Sequence, residues 1–365
     1  LESLRPVLVT GASGFIGWHV VRELRRLERP VRALVRVDSQ VQQLRSLGVE
    51  IYVGDLLEAD SLAAAVKGCS AVVHLAGAMQ GADEEAYRRV NVDGTLNLLD
   101  AVARHGRDVR RFVFVSSLAA VGPACGADPP DESAEPRPVG PYGRTKLEAE
   151  AEVLERRGRL AVTVFRPPIV YGPRDRKLLP YFQLIRAGLL LLPGEGKQRV
   201  AVIHARDLAA AMVQALSRDH PSGSVFHLCD GPARRWRDLG EAIRLVQGTP
   251  AITVRVPKDA MRWARRAGRI ALRWTPRLPV WLHPDALELA LAGEWTCADG
   301  LIRRTLGWVP KVTLLEGLAE TVDWYREAGW LLRPWGGPLN RREVRPSKVP
   351  PETDGSGRRT GGQER

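Results

Sequence analysis

Short apolar runs rich in β-branched residues recur through the first half of the chain: "VLVT", "VRALVR", "VEIYVG", "AVVHLAG", "RFVFVSS" and "AVTVFRP". Between them lie stretches with helical periodicity, such as 17–27 and 92–103. The strand-like runs are continuously apolar rather than alternating, which predicts strands covered on both faces, the mark of a parallel sheet in βαβ units. After Pro167 the rhythm breaks into shorter pieces rich in proline and glycine. The expected organisation is a nucleotide-binding domain over 1–168, to which the chain returns at about 198–218 through "VAVIHARDLAAAMV". A smaller discontinuous substrate lobe is expected over 169–197 and 219–332. From 333 to 365 the composition turns to Pro, Gly, Arg and Glu, which reads as a disordered tail.

The first strand runs into "TGASGFIG", with Gly11, Gly14 and Gly17 at the opening of a helix. Glycines there permit a tight turn and let backbone N–H groups approach a diphosphate, which the helix N-terminus also attracts. In this strand–turn–helix context the motif predicts dinucleotide binding. The second strand bears on which one. An acidic residue at its end would accept from a ribose 2′-hydroxyl, whereas this strand ends in Val35 and Arg36. Arg36 suits a 2′-phosphate, so NADP is preferred; Asp38 keeps NAD open, and Arg36 also reads as a solvated surface charge.

Downstream, "GPYGRTKLEAE" sets Tyr142 four residues ahead of Lys146. That spacing puts both on one face of a helix. A free phenol titrates near ~10, and a neighbouring ammonium favours its phenolate, so Lys146 is expected to bring Tyr142 into a useful range for proton transfer. Roughly 25 residues earlier a strand ends in Ser116 and Ser117, either of which could bind a substrate oxygen.

Composition changes little in this picture. Hydrophobic residues make up 44% of 365 and charged residues 26%, ordinary for a globular chain. No apolar run approaches the ~18 residues of a membrane span. The first strand begins at about Pro6, without room for a leader ahead of it, so a cytoplasmic location is expected. Cys69, Cys125, Cys229 and Cys297 are widely spaced, which argues against a disulfide framework or a zinc site, and the histidines form no ligand spacing; no metal is expected. The net charge of +12 is uneven: from Arg255 to Arg277 there are eight basic residues against one acidic, Asp259. No aromatics interleave with basic residues in a strand pattern suited to stacking bases, so no nucleic-acid partner is expected.

"TGASGFIG", "GDL", "HLAG", "NVDGT", "SSLAAVGP" and "YGRTK", in this order, together resemble the extended short-chain dehydrogenase/reductase family. The similarity continues through "RPPIVYGP", "VIHARDLA" and "LGWVPKVTLLEGLAETVDWYR", from about Pro6 to Leu331. It implies an α/β, Rossmann-type doubly wound sheet with a substrate lobe, and a homodimer through helices around 91–104 and 142–157. It implies cofactor contacts from Gly11, Ser13, Gly14, Phe15, Ile16, Gly17, Leu75, Ala76, Gly77 and Pro167. Asp55 would accept from the adenine amine, with Leu56 beside the ring. Ser117 would hold the substrate oxygen, Tyr142 would exchange its proton, and Lys146 would hold the nicotinamide ribose. Asn91 would contribute contacts near the lysine, or is a polar helix residue.

Departures within the family narrow the chemistry. The positions where sugar-nucleotide dehydratases carry acidic residues are Leu118 and Ala119, and Ile169 stands where many epimerases place a sugar-binding asparagine. An unpaired sugar hydroxyl against isoleucine would cost roughly 1–3 kcal/mol. "RPPIVYGP" resembles instead the 3β-hydroxysteroid dehydrogenase and dihydroflavonol reductase branch. The expected function is interconversion of a secondary alcohol and a ketone on an apolar, steroid-, flavonoid- or lipid-like small molecule. A nucleotide-sugar epimerase with bound NAD is the alternative, and a non-catalytic nucleotide-bound scaffold or redox sensor the alternative of another class. Finally, over 259–275 a helical wheel gathers Arg262, Arg265, Arg266, Arg269 and Arg273 within about 100°, opposite Trp263, Ile270 and Trp274. Two readings follow: a lobe helix with its tryptophans in the core, or a helix meeting an anionic membrane or covering a lipid-like substrate.

Overall fold

The computed structural model describes residues 5–79, 81, 83–126, 128–271 and 283–331. The first half alternates strand and helix as the pattern predicts: β1 (Val7–Thr10), α1 (Phe15–Arg26), β2 (Val31–Val35), α2 (Gln42–Arg45), β3 (Glu50–Val53), α3 (Ala59–Val66) and β4 (Ala71–His74). Then come α4 (Glu84–Arg88), α5 (Gly94–His105), β5 (Arg111–Val115), α6 (Gly140–Glu155) and β6 (Ala161–Arg166). These six strands and a later one, β11 (Ser224–His227), form a wholly parallel sheet in the order β11-β6-β5-β4-β1-β2-β3. The strand order reverses between β1 and β4, so the crevice at the carboxyl ends of those two strands is where a nucleotide is expected.

The strands are apolar throughout because successive side chains enter different cores. Val7 and Val9 pack with Val20, Val21 and Leu24 of α1. Leu8, between them, packs on the other face with Leu62 of α3, Leu98 and Leu99 of α5, and Ala149 and Val153 of α6. Arg25 and Arg26 in the last turn of α1 complement its negative end.

The lobe is built from β7 (Ile169–Tyr171), α7 (Leu179–Arg186), β8 (Leu189–Pro193), β9 (Arg199–Val200) and β10 (Val202–His204). After α8 (Ala205–Ala215) and β11 it continues with β12 (Arg234–Arg235), α9 (Trp236–Gln247), β13 (Ile252–Val256), α10 (Lys258–Ala271) and α11 (Pro284–Ala292). The last helices are α12 (Gly300–Leu306) and α13 (Leu314–Glu327). The strands pair in three two-stranded ladders, β7 with β10, β9 with β12 and β8 with β13. Phe182, Ile185, Leu190, Leu192, Leu239, Ile243, Leu318, Val322 and Tyr325 form the lobe's core. Thr313 and Glu316 close a reciprocal capping box that starts α13.

The return to the main sheet is longer than the expected 198–218. It includes β11, and Ile302, Leu306 and Trp308 also pack into the α1 side of the sheet. Short strands between glycine turns carry no signal of which sheet they join. The expected tail at 333–365 lies outside the described residues.

Beneath the carboxyl end of β6, Arg166 and Glu150 of α6 form a buried ion pair, with side chains 6% and 2% exposed; Arg166 Nε donates to the carboxylate at 3.1 Å. Removing one partner strands a buried charge, at about 3–5 kcal/mol. Arg166→Ala should therefore lower the urea-unfolding free energy by about that amount, with Arg166→Met/Glu150→Leu recovering much of the loss. A loss below roughly 1 kcal/mol, the value of an exposed pair, would contradict the buried geometry.

Candidate active site

The turn after β1 is shaped by close approach. Gly11 has φ +66°, and a Cβ there would lie 2.8 Å from Ala76 N. A Cβ on Gly17 would lie 2.1 Å from Gly11 O, so α1 can leave the turn only with glycine at that position. Gly14 caps α1 without a side-chain hydrogen bond, and the first turn holds no acidic residue. The helix therefore presents unsatisfied N–H groups and positive potential next to Ser13, Phe15 and Ile16, a donor set that fits a diphosphate.

The other predicted cofactor residues follow the carboxyl ends of β2, β3, β4 and β6. Thr10 Oγ1 accepts from Leu75 N and Ala76 N at 3.2 and 3.1 Å and contacts His74 Nδ1 at 2.7 Å. Arg36 lies two residues past Leu34, the ladder partner of Thr10, with its side chain exposed and 3.6 Å from Asp38. Asp55 Oδ1 accepts from Leu57 N at 2.9 Å, which orders the turn after β3. Leu56 is buried against Gly94, where a Cβ would come within 3.0 Å of its side chain. Pro167 is buried, and its carbonyl accepts from Leu118 N at 2.9 Å.

At the end of β5, Ser117 caps a 3-10 turn over Leu118–Ala120, its Oγ accepting from Ala119 N at 3.1 Å. Helix α6 comes close to this turn because residue 143 is glycine: a Cβ would lie 2.3 Å from Ala119 O. That approach brings Tyr142, one residue earlier, beside the Ser117 side chain. Ser116 Oγ instead is buried without a hydrogen-bond partner among the described residues. Lys146, one turn along α6, is buried with Nζ 4.2 Å from the centre of the Phe114 ring, and a Cβ on Gly77 would lie 4.0 Å from it.

Asn91 is buried between the loop after β4 and α6. It sits in a π-helical turn over Arg89–Asp93, a distortion frequent at functional sites. Its Oδ1 accepts from Ala78 N at 2.7 Å, and its Nδ2 donates to Ala78 O and to Thr145 Oγ1, both at 3.1 Å. One side chain thus ties the loop after β4 to α6 beside Lys146.

The electrostatics differ from the expectation in one respect. Burial pushes Tyr142 up to about 12, and Ser117, not Lys146, is the group that pulls it back. Lys146 is itself pushed down to about 7 by burial, with Glu150 opposing. A half-discharged ammonium is a weak attractor for a phenolate, and desolvation exceeds the charge effect that residue spacing suggests.

The sequence profile of the NAD dependent epimerase/dehydratase family matches residues 7–229. The chain belongs to this family. It is 33% identical to a ceramide reductase of Caulobacter vibrioides over 89% of this chain and 96% of that protein. It is 32% identical to a 4-hydroxy-2-methyl-3-oxo-4-farnesyl-3,4-dihydroquinoline-1-oxide ketoreductase of Stigmatella aurantiaca, over 88% and 96%. Among solved structures it is similar to MoeE5 in complex with UDP-glucuronic acid and NAD, with TM-score 0.71 and 28% identity over 88% of this chain and 99% of that one. As an extended short-chain dehydrogenase/reductase it is an NAD(P)-dependent oxidoreductase.

Several residues of the site escape a reading by motif. His74, within "HLAG", is buried, and its Nε2 reaches Thr95 Oγ1 at 3.0 Å, which donates to Asn91 O at 2.6 Å. Burial holds His74 down at about 3, so it is a neutral link in a chain from Thr10 to Asn91. Tyr87 lies with its ring 6.3 Å from that of Tyr142, and its hydroxyl donates to Asp285 Oδ2 at 2.5 Å across 198 residues of sequence. Nothing local in the sequence signals that contact.

The lysine shift fixes a pH dependence. Between about pH 7 and the ordinary lysine range the unfolded chain binds the extra proton, so stability gains with rising pH in that window. In the nucleotide-free protein, Lys146→Met should raise the melting temperature at pH 6.5, with the gain shrinking towards pH 9.5. A gain independent of pH would mean that Lys146 is not desolvated.

Proposed function

We propose that this enzyme reduces a ketone to a secondary alcohol on an apolar, lipid-like skeleton, with NADP(H) as the preferred cofactor. The observation that carries the reading is the arrangement of Ser117, Tyr142 and Lys146 at the mouth of the nucleotide crevice. The nicotinamide, when bound, supplies hydride to the carbonyl carbon. Ser117 Oγ–H and the Tyr142 phenol hold the carbonyl oxygen, and Tyr142 gives that oxygen its proton. With the phenol pushed up to about 12, Tyr142 is protonated at neutral pH and holds the proton that the carbonyl oxygen takes. Lys146 and Asn91, tied to the loop at Gly77 and Ala78, hold the nucleotide end of the cleft.

The apolar-substrate reading is supported by the residues that follow Ser117 and β6. Leu118 and Ala119 are buried with Val121, Cys229 and Cys297 nearby, and Ile169 packs with the lobe core. None of these offers a partner to a sugar hydroxyl. Two relatives above 30% identity are named for reducing a ceramide and a farnesylated quinoline ketone, both lipid-like. The NADP preference rests on Arg36, exposed at the end of β2 with only a loose contact to Asp38.

Two substitutions test the reading. Tyr142→Phe should keep nucleotide binding while lowering kcat for a long-chain β-keto substrate by about 10²–10⁴-fold; a variant of unchanged kcat would remove Tyr142 from the chemistry. Arg36→Ala should raise the Kd for NADPH roughly 10- to 100-fold and leave that for NADH nearly unchanged, from the ~1.5–3 kcal/mol of a charge-assisted hydrogen bond. Equal weakening of both would return the preference to NAD.

A further inference from the structure

Helix α10 turns its apolar side outward. The residues that it buries are Met261 and Gly268, seven apart. Trp263 and Ile270, on the opposite side, are 68% and 62% exposed. The described part of the helix therefore does not place its tryptophan in the core, and Arg273 and Trp274 lie outside the described residues. Arg262, Arg266 and Arg269 are exposed along one flank of this apolar strip. Arg265 and Arg269 also reach Glu288 of α11, at 3.0 and 3.3 Å.

The basic character continues past the helix. Lys258, at its start, lies beside Gly194, where a Cβ would come within 3.7 Å of Lys258 Cε. Next to that turn a recess of about 290 Å³ is lined by Lys197, Arg235, Arg237 and Arg255 with Glu195. On the neighbouring edge strand β13, Ile252 and Val254 are exposed. Exposed apolar side chains beside a row of arginines and a cationic recess match the interfacial zone of a bilayer, where apolar groups enter the acyl boundary and cations meet phosphate headgroups. No helix among the described residues is long and apolar enough to cross a membrane, so the match is to a surface contact.

We propose that α10 and the adjoining recess dock this enzyme on an anionic lipid surface, from which its substrate reaches the site. The second half rests on the apolar-substrate reading above. The connection between surface and chemistry is short: α11 packs on both α10 and α6, and its Asp285 accepts from Tyr87, whose ring neighbours Tyr142. Binding at α10 is thus one helix away from the helix that carries Tyr142.

The test is sedimentation of the full chain with vesicles of phosphatidylcholine alone or mixed with phosphatidylglycerol, at low and at physiological salt. The expected result is partition onto the mixed vesicles only, weakened by salt. Trp263→Ser/Ile270→Ser, which leaves the charge unchanged, and Arg262→Ser/Arg266→Ser should each weaken partition roughly 10- to 30-fold. Arg104→Ser/Arg107→Ser, exposed arginines at the end of α5, should change it less than about two-fold. If the control loses as much as the α10 variants, the net charge alone binds and the proposal fails. It fails as well if wild type ignores mixed vesicles, or if the Trp263/Ile270 variant instead converts a dimer to a monomer in sedimentation velocity. These readouts involve no turnover. Vesicle binding with no reduction of a long-chain β-keto substrate would reject the functional reading and keep the surface, whereas reduction of that substrate in detergent without vesicle binding would do the reverse.

Discussion

The site depends on one close approach, that of helix α6 to the turn after β5. Without a side chain at Gly143, the helix backbone rests against Ala119 O. With any larger residue the helix would have to lift, and Tyr142 would leave Ser117. The same approach sets Lys146 over Phe114 and brings Thr145 to Asn91, whose amide holds the loop at Ala78. A second glycine contact, Gly11 against Ala76, fixes the other wall of the crevice. The Ser117–Tyr142 pair and the glycine turn after β1 are therefore held at a fixed separation by backbone packing, which side-chain fluctuation changes little.

Tight packing has an electrostatic consequence. Burial disfavours charge on both Tyr142 and Lys146, raising one and lowering the other. A buried lysine that loses much of its charge near neutrality is costly to the fold and responsive to any anion brought beside it, because a nearby negative charge restores the ammonium. The pair is thereby sensitive to what enters the cleft, and the neutral His74 link can hold geometry without adding a competing charge.

The fold was legible in the sequence where local signals are dense. Continuous apolar runs, glycine spacing and helical periodicity identified β1 to β6 and α1, and the order of motifs led to Ser117, Tyr142 and Lys146. Three things were not legible. The seventh strand, β11, is four residues with no periodicity of its own. The Tyr87–Asp285 hydrogen bond joins residues 198 apart. The direction of the tyrosine shift was misread because spacing counts neighbouring charges, whereas the desolvation that exceeds them comes from the whole surrounding packing.

Helix α10 is a separate case, because an amphipathic pattern over 259–275 left its orientation open, and over the described part the arginines flank the exposed Trp263 and Ile270 rather than oppose them. An amphipathic pattern states that two faces differ, not which of them meets the protein. Here the contact face is narrow, one methionine and one glycine, so little apolar area ties the helix to the lobe. Its arginines reinforce the attachment through Glu288, which α11 presents at the entrance side of α6. A helix held by ion pairs and exposing tryptophan and isoleucine is poorly stabilised by water on its outer face, since each exposed apolar side chain forgoes the ~1.5–3 kcal/mol of its burial. A lipid boundary would supply that burial while its headgroups satisfied the flanking cations.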